Sequence, residues 1–182
     1  MTSKSSMQFV GHNLNADRHK NDFYPTPPEA TLALLSKERF EGNIWECACG
    51  DGAISKILID KGYDVYSSDL YDMGYGDSDV DFLMSDKKVD NIITNPPFRI
   101  STEFTLKALE LVKYKAVFMH KLTYLEGINR YREIFKHKKL KNIYVFSKRV
   151  NFVKNGKSSG LMCFAWFVFD KNYNGLPQLD WI

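Results

Sequence analysis

The chain has 182 residues, 44% of them hydrophobic and 26% charged, which is enough apolar material for one buried core and too little length for a second full domain. Eleven glycines and six prolines exclude collagen-like and low-complexity classes, and a formal charge of +3 with 14% aromatics excludes an intrinsically disordered chain. No apolar run approaches the roughly 18 residues of a membrane span, and Met1 to Ser6 are polar where a signal peptide is apolar, so the expected compartment is cytoplasmic.

Residues 1–21 are polar and expected to form a flexible N-terminal segment, leaving 22–182 as a single domain. Thr26-Pro27-Pro28-Glu29 predicts a helix start, with Thr26 as cap, early prolines and Leu32, Leu34 and Leu35 following. Ile44 to Cys47 reads as a short buried strand that runs into Gly50-Asp51-Gly52. Ile54, Ile57 and Leu58 then keep helical spacing up to a stop at Gly62. A second strand is expected from Asp64 to Leu70, and a third from Val89 to Thr94, ended by the prolines of Asn95-Pro96-Pro97-Phe98. Helical periodicity returns at Phe104, Ala108 and Leu111, followed by a strand over Ala116 to Met119 and a helix carrying Ile128, Tyr131, Ile134 and Phe135. Two β-rich runs, Ile143 to Phe146 and Leu161 to Phe169, are expected to pair as an antiparallel hairpin at one edge. The alternation predicts an α/β fold with a mostly parallel sheet.

Cys47, Cys49 and Cys163 cannot all pair, and neither they nor the four histidines show zinc spacing, so the thiols read as reduced and structural, and no metal site is expected. Charge is unevenly spread. Residues 1–112 carry 11 Lys/Arg against 18 Asp/Glu, whereas residues 113–157 carry 13 against 2. Interleaved with Tyr and Phe, that basic segment suits a polyanion with stackable bases. The plainer reading is a solvated face, but the clustering favours phosphate contact, with Lys121, Arg130, Lys148, Arg149, Lys154 and Lys157 as the candidates.

In an open α/β sheet, ligands bind where the loops after the strands converge. Those loops here hold Glu46 to Gly52, Asp69, and Asn95 to Phe98. A glycine turn between strand and helix, with an acid 19 residues after Gly50, suits a nucleoside: glycines admit the ligand to the backbone and the acid accepts ribose hydroxyls. The tetrad is more specific. The exocyclic amine of adenine is a poor nucleophile because its lone pair is drawn into the ring. A side-chain amide oxygen at Asn95 and the carbonyl of Pro96 can accept both amine hydrogens and return electron density to nitrogen. Pro96 and Pro97 fix that carbonyl's direction, and Phe98 offers a stacking face.

Asp22-Phe23-Tyr24-Pro25-Thr26-Pro27, Glu46-Cys47-Ala48-Cys49-Gly50-Asp51-Gly52 and Asn95-Pro96-Pro97-Phe98, in that order, resemble the amino-group methyltransferases that use S-adenosyl-L-methionine. Among these, the chain is most similar to the adenine-N6 DNA methyltransferases of phages and bacteria, including small phage and prophage enzymes with an NPPF motif. The resemblance implies a Rossmann-like class I fold with seven strands. It also implies a cofactor site in which Tyr24, Thr26 and Pro27 close over the methionine end, with Ala48, Gly50 and Gly52 beneath it and Glu46 under the loop as an orienting acid. Asp69 would take the ribose, Leu70 the adenine face, and Asp81 and Phe82 the adenine edge. Asn95, Pro96, Pro97 and Phe98 would hold the target base. Asp81 as a turn cap, Phe82 as core and Tyr24 as packing stand as alternatives.

A separate recognition region is expected of a sequence-reading DNA methyltransferase, and the fold uses nearly all of this chain. Recognition then falls to 113–157, is low, or comes from a protein partner. Related tetrads serve enzymes acting on RNA adenine or on glutamine amides of protein. Those activities, and a non-catalytic nucleic-acid-binding module retaining the fold, are the alternatives to DNA adenine methylation.

Overall fold

The computed structural model describes residues 24–137, 139–154, 157–158 and 162–182. The expected flexible segment 1–21, the Asp22-Phe23 pair, the turn residues Asn155, Gly156, Ser159 and Gly160, and Leu161, where the last β-rich run is expected to begin, lie outside the described residues.

Seven strands form one sheet in the order β2-β1-β3-β4-β8-β5-β9. They are β1 (Ile44–Glu46), β2 (Val65–Ser67), β3 (Val89–Thr94), β4 (Val112–Lys121), β5 (Leu140–Val145), β8 (Phe164–Asp170) and β9 (Gln178–Trp181). Strands β1 to β4 are mutually parallel, β8 is antiparallel to both β4 and β5, and β9 is parallel to β5. A two-stranded hairpin, β6 (Val153–Lys154) with β7 (Lys157–Ser158), stands between β5 and β8. The fold is the expected mostly parallel Rossmann-like sheet. The antiparallel pair β5–β8 sits one strand inside the edge, because β9 adds itself outside β5.

Helices cover both faces. On one, α1 (Pro28–Lys37) and α2 (Ala53–Asp60) bury Leu34, Ile54 and Leu58 against Ile93, Val117, Met119 and Trp166. On the other, α3 (Ser101–Leu111) and the turns Phe82–Met84 and Phe135–His137 cover Trp45, Ile92, Phe118 and Phe167. Strand β8 is buried at Phe164 to Phe169 on both faces, which is why its sequence reads as an unbroken apolar run and not as an alternation. The two largest core side chains still satisfy their N–H groups: Trp45 Nε1 donates to Ser68 Oγ at 2.8 Å and Trp166 Nε1 to the Ala30 carbonyl at 2.8 Å. The short helix α4 (Ile128–Glu133) leaves Ile128 and Tyr131 exposed.

Three local expectations change. Pro27, and not Thr26, is the N-cap of α1, and no side chain caps it. The strand after α2 is shorter than Asp64 to Leu70, because the chain leaves β2 at Ser67 and pairs onward only through a bridge between Ser68 and Asp77. Strand β4 is longer than Ala116 to Met119, since α3 passes into it at Leu111–Val112 with no loop residue between.

At the end of the sheet where β4 and β5 begin, Glu38 is 5% exposed and gathers Lys115 Nζ at 2.5 Å, Asn142 Nδ2 at 2.7 Å and Tyr144 Oη at 2.7 Å. Burial raises its pKa, but the bonds from Lys115, Tyr144 and Asn142 outweigh burial and hold it below the usual carboxylate value. The folded state therefore favours the ionised form, and this stability is fully present above the ordinary carboxylate pKa and is lost as pH falls from there through the lowered folded value. Glu38→Ala is expected to cost about 2–4 kcal/mol in a denaturant titration, because it strands a lysine, an amide and a phenol together.

Candidate functional site

The carboxyl ends of β1, β2 and β3 lie side by side, so the three loops singled out in the sequence emerge at one end of the sheet. The first is built around two carboxylates. Glu46, 2% exposed at the end of β1, accepts from the Ser55 N–H at 2.7 Å and from the Ser55 hydroxyl, which also meets Ser67 Oγ at 2.6 Å. These bonds fasten β1 to the first turn of α2. Asp69, at the end of β2, accepts from the Gly50 N–H at 2.9 Å through one oxygen and from the Tyr71 N–H at 3.1 Å through the other. The acid 19 residues on thus clamps the glycine turn from the side. Gly50 and Gly52 both take positive φ, at 52° and 79°, conformations that favour glycine.

The open side of Gly52 faces an aromatic ring: a Cβ built there would lie 2.4 Å from Tyr75. Gly76 fits as tightly on the other flank, where a Cβ would come within 2.7 Å of the Ser67 carbonyl and 3.0 Å of Cys49 Sγ. The Cys49 thiol donates to the Tyr75 carbonyl at 3.4 Å, and Lys56 Nζ stands 4.9 Å from the Tyr75 ring centre. The glycine-rich segment Met73 to Gly76 is therefore packed on the first loop as its wall. Sequence reading missed Tyr75, because nothing in Gly-Tyr-Gly announces which backbone the ring will meet.

The third loop carries the sharpest feature. Asn95 Nδ2 donates to Thr26 Oγ1 at 3.1 Å and to the Tyr24 carbonyl at 3.4 Å, while Asn95 Oδ1 is buried with no hydrogen-bond partner among the described residues. A carbonyl can only accept, so Tyr24 fixes which end of the amide is nitrogen. Thr26, 4% exposed, is here an anchor of Asn95. The tetrad is pinned behind by the Ile100 N–H on the Pro97 carbonyl at 3.2 Å and the Ser101 hydroxyl on the Phe98 carbonyl at 3.0 Å. The Phe98 ring lies 5.7 Å from Phe164 and beneath Lys121, whose Nζ is 4.8 Å from its centre. Arg99, directly after it, is exposed. The net acidity of residues 1–112 hid Arg99 from a charge count made along the chain.

The other expected site residues have the following surroundings. Phe82 is 2% exposed and packed between Trp45 at 5.2 Å and Phe104 at 4.8 Å, so its ring is part of the core. Asp81 caps the following turn by accepting from the Leu83 N–H at 2.9 Å. Leu70 is exposed in the loop after β2, Ala48 is half-buried against the core, and Pro27 is the N-cap of α1. Arg130 donates to the carbonyls of Tyr124 and Glu126, which occupies the guanidinium in holding its own loop.

The basic segment 113–157 does not form one surface, since its strands run from one end of the sheet to the other. Lys115 and Lys141 lie at the far end in ion pairs with Glu38 and Asp170. Lys139 caps the carbonyls of Lys171 and Tyr173 there. Lys121, Lys148 and Arg149 lie at the site end, where the hairpin carrying Lys154 and Lys157 also branches off. A polar cleft lined by Arg39, Glu41, Asn91 and Tyr114 opens at the far end, and its Asn91 amide is already bonded to the Glu41 carbonyl at 2.7 Å.

Burial pushes the Cys49 thiol up to about 12 and raises Cys47 well above its usual value, so both are protonated packing groups, as the sequence suggested. No group of His, Cys, Asp and Glu able to hold a metal occurs among the described residues, and no described helix is long and apolar enough to cross a membrane. His120, 1% exposed and stacked 3.8 Å from Tyr124, has its pKa pushed down to about 3 by burial and the Arg130 charge.

Burial, against the bonds from Ser55 and helped by the charges of Asp51 and Asp69, raises the Glu46 carboxyl to about 8. A carboxyl whose folded pKa exceeds its unfolded one costs stability as pH rises between the two, here from about 4.5 to about 8. Glu46→Gln keeps an acceptor for Ser55 and cannot ionise. Its thermal unfolding is expected to lack a decline, worth on the order of 2–4 kcal/mol across that window, that the wild type shows.

No family model matches the sequence, and no curated protein matches it. Solved structures do match in fold. A candidate RNA methyltransferase from Pyrococcus horikoshii aligns with a TM-score of 0.63 at 17% identity, over 87% of this chain and 90% of that one. A candidate class I S-adenosylmethionine-dependent methyltransferase from Listeria monocytogenes aligns at 0.63 and 14% identity, over 94% of this chain and 68% of that one. The modification subunit of a candidate type I restriction enzyme from Vibrio vulnificus aligns at 0.62 and 14% identity, over 89% of this chain but only 47% of its own length. The chain thus has the Rossmann-like fold of class I methyltransferases.

Proposed function

We propose that this protein is an S-adenosyl-L-methionine-dependent methyltransferase acting on the exocyclic N6 amine of adenine, in DNA. The observation that carries the reading is the Asn95 amide, anchored through its nitrogen and left with an unpartnered buried oxygen. A group held this way is an acceptor in search of a donor, and an amine with two hydrogens supplies one to Asn95 Oδ1 and one to the Pro96 carbonyl. Drawing on those hydrogens returns the lone pair to nitrogen, so attack precedes proton loss and no titrating base is required at the turn.

The cofactor, when bound, supplies an electrophilic methyl group on a positively charged sulfur. The residues fit a cationic nucleoside: Asp51 and Asp69 flank the glycine turn, and the Asp69 carboxylate, which accepts from the Gly50 N–H, would also take the ribose hydroxyls. Tyr24, Thr26 and Pro27 lie beside Asn95 and would close the methionine end. Catalysis then rests on alignment of amine and methyl group. A duplex target must be extruded, at a cost of a few kcal/mol that stacking on Phe98 helps to offset. Lys148 and Arg149, which follow β5 at the site end of the sheet, would meet phosphates, with Lys154 and Lys157 as further candidates.

Tritiated cofactor offered in parallel with DNA, RNA and denatured cell protein tests the assignment. Label in DNA adenine is expected. Label in RNA alone or in protein alone replaces the substrate, and cofactor binding without label anywhere replaces the enzyme by a binding module.

A further inference from the structure

We infer that Lys121 gates the target-base site, admitting a base onto Phe98 only when the substrate brings a phosphate to draw the ammonium aside. This rests on the function proposed above and deepens it, by making the phosphate beside the adenine, which a free base or a protein amide lacks, the group that opens the site.

Three observations support the gate. The Lys121 ammonium lies over the Phe98 ring at 4.8 Å, while Phe98 otherwise packs into the core cluster and against Phe164. The face on which a base would stack is therefore the face the ammonium holds. Lys121 also closes β4 directly opposite Phe164, so the backbone fixes the stem of its side chain beside the ring. Finally, Lys121 has no carboxylate partner among the described residues, in contrast to Lys115 and Lys141 near the starts of β4 and β5, which are paired with Glu38 and Asp170. A half-buried cation resting on a ring is weakly held and incompletely solvated, and an arriving phosphodiester offers it a charge-assisted bond that the ring cannot match. Exposed Arg99, beside Phe98, supplies a second cation at the same corner. Entry of the base and departure of the ammonium are then one event.

The test compares single-stranded oligonucleotides containing one adenine, joined by ordinary phosphodiesters or by a neutral methylphosphonate on one side or the other of that adenine. The measured quantity is kcat/KM for methyl transfer by the wild type, Lys121→Arg and Lys121→Met, with thermal unfolding as the check on folding. A neutral linkage on one flank is expected to slow the wild type and Lys121→Arg about tenfold. Lys121→Met is expected to treat the charged and neutral oligonucleotides alike and to exceed the wild type on the neutral one. A Lys121→Met enzyme that keeps the wild-type ratio overturns the gate, as does a wild type indifferent to the neutral linkage on either flank. A wild type that binds cofactor but methylates no adenine overturns the proposed function itself, and the gate with it.

Discussion

Asn95→Ala is expected to lower methyl transfer to adenine by about 10²- to 10³-fold while leaving cofactor affinity near the wild-type value. The loss is large because the amide oxygen acts where charge changes during the reaction: as the amine nitrogen becomes cationic, its hydrogens become stronger donors to Asn95 Oδ1. The scaffold around the amide is prepared for this. Thr26 Oγ1 and the Tyr24 carbonyl take the Nδ2 hydrogens, so the oxygen cannot rotate away, and no described group competes for it. Asn95→Asp separates the two halves of that arrangement. It keeps an acceptor but sets a carboxylate oxygen against the Tyr24 carbonyl, so a loss intermediate between wild type and alanine is expected. Initial rates at saturating cofactor, with cofactor binding measured by calorimetry, distinguish these effects from a general collapse of the site.

The second large effect is expected at the glycine turn. Gly52→Ala places a methyl group 2.4 Å from the Tyr75 ring and forces alanine into a φ of 79°. The backbone cost is about 1–2 kcal/mol, and displacing the ring brings the total to about 2–4 kcal/mol by thermal or denaturant unfolding. Cofactor affinity is expected to fall at least tenfold, since the N–H of Gly50, two residues away, is clamped by Asp69 and cannot shift without releasing it. The double variant Gly52→Ala/Tyr75→Ala removes the clash and keeps the backbone strain. It should recover part of the lost stability, which divides the two costs.

The features legible in the sequence are those whose cause is local. Val89–Thr94 is rich in β-branched residues and is followed, after Asn95, by two prolines, and it forms β3 with those bounds. The glycine turn, its acid at position 69 and the tetrad follow three strands that the alternation of elements makes neighbours, so their meeting could be read from order alone. What escaped depends on contacts between distant segments. Thr26 has the chemistry of a cap and is used instead to hold Asn95, 69 residues away. Strand β9 has four exposed residues, too few for its alternation of polar and apolar residues to announce a strand, and its existence rests on pairing with β5. The charge of residues 113–157 was counted along the chain, whereas strands carry consecutive lysines to opposite ends of the sheet, where Glu38 and Asp170 neutralise those at the far end.

A structure of the protein with a cofactor analogue and an adenine-containing oligonucleotide tests the account most directly. The adenine N6 is predicted to lie about 2.8–3.1 Å from Asn95 Oδ1, with its second hydrogen on the Pro96 carbonyl and the analogue against the Asp69 side of the glycine turn. An adenine bound away from this turn, with Asn95 Oδ1 still unpaired beside it, would contradict the account.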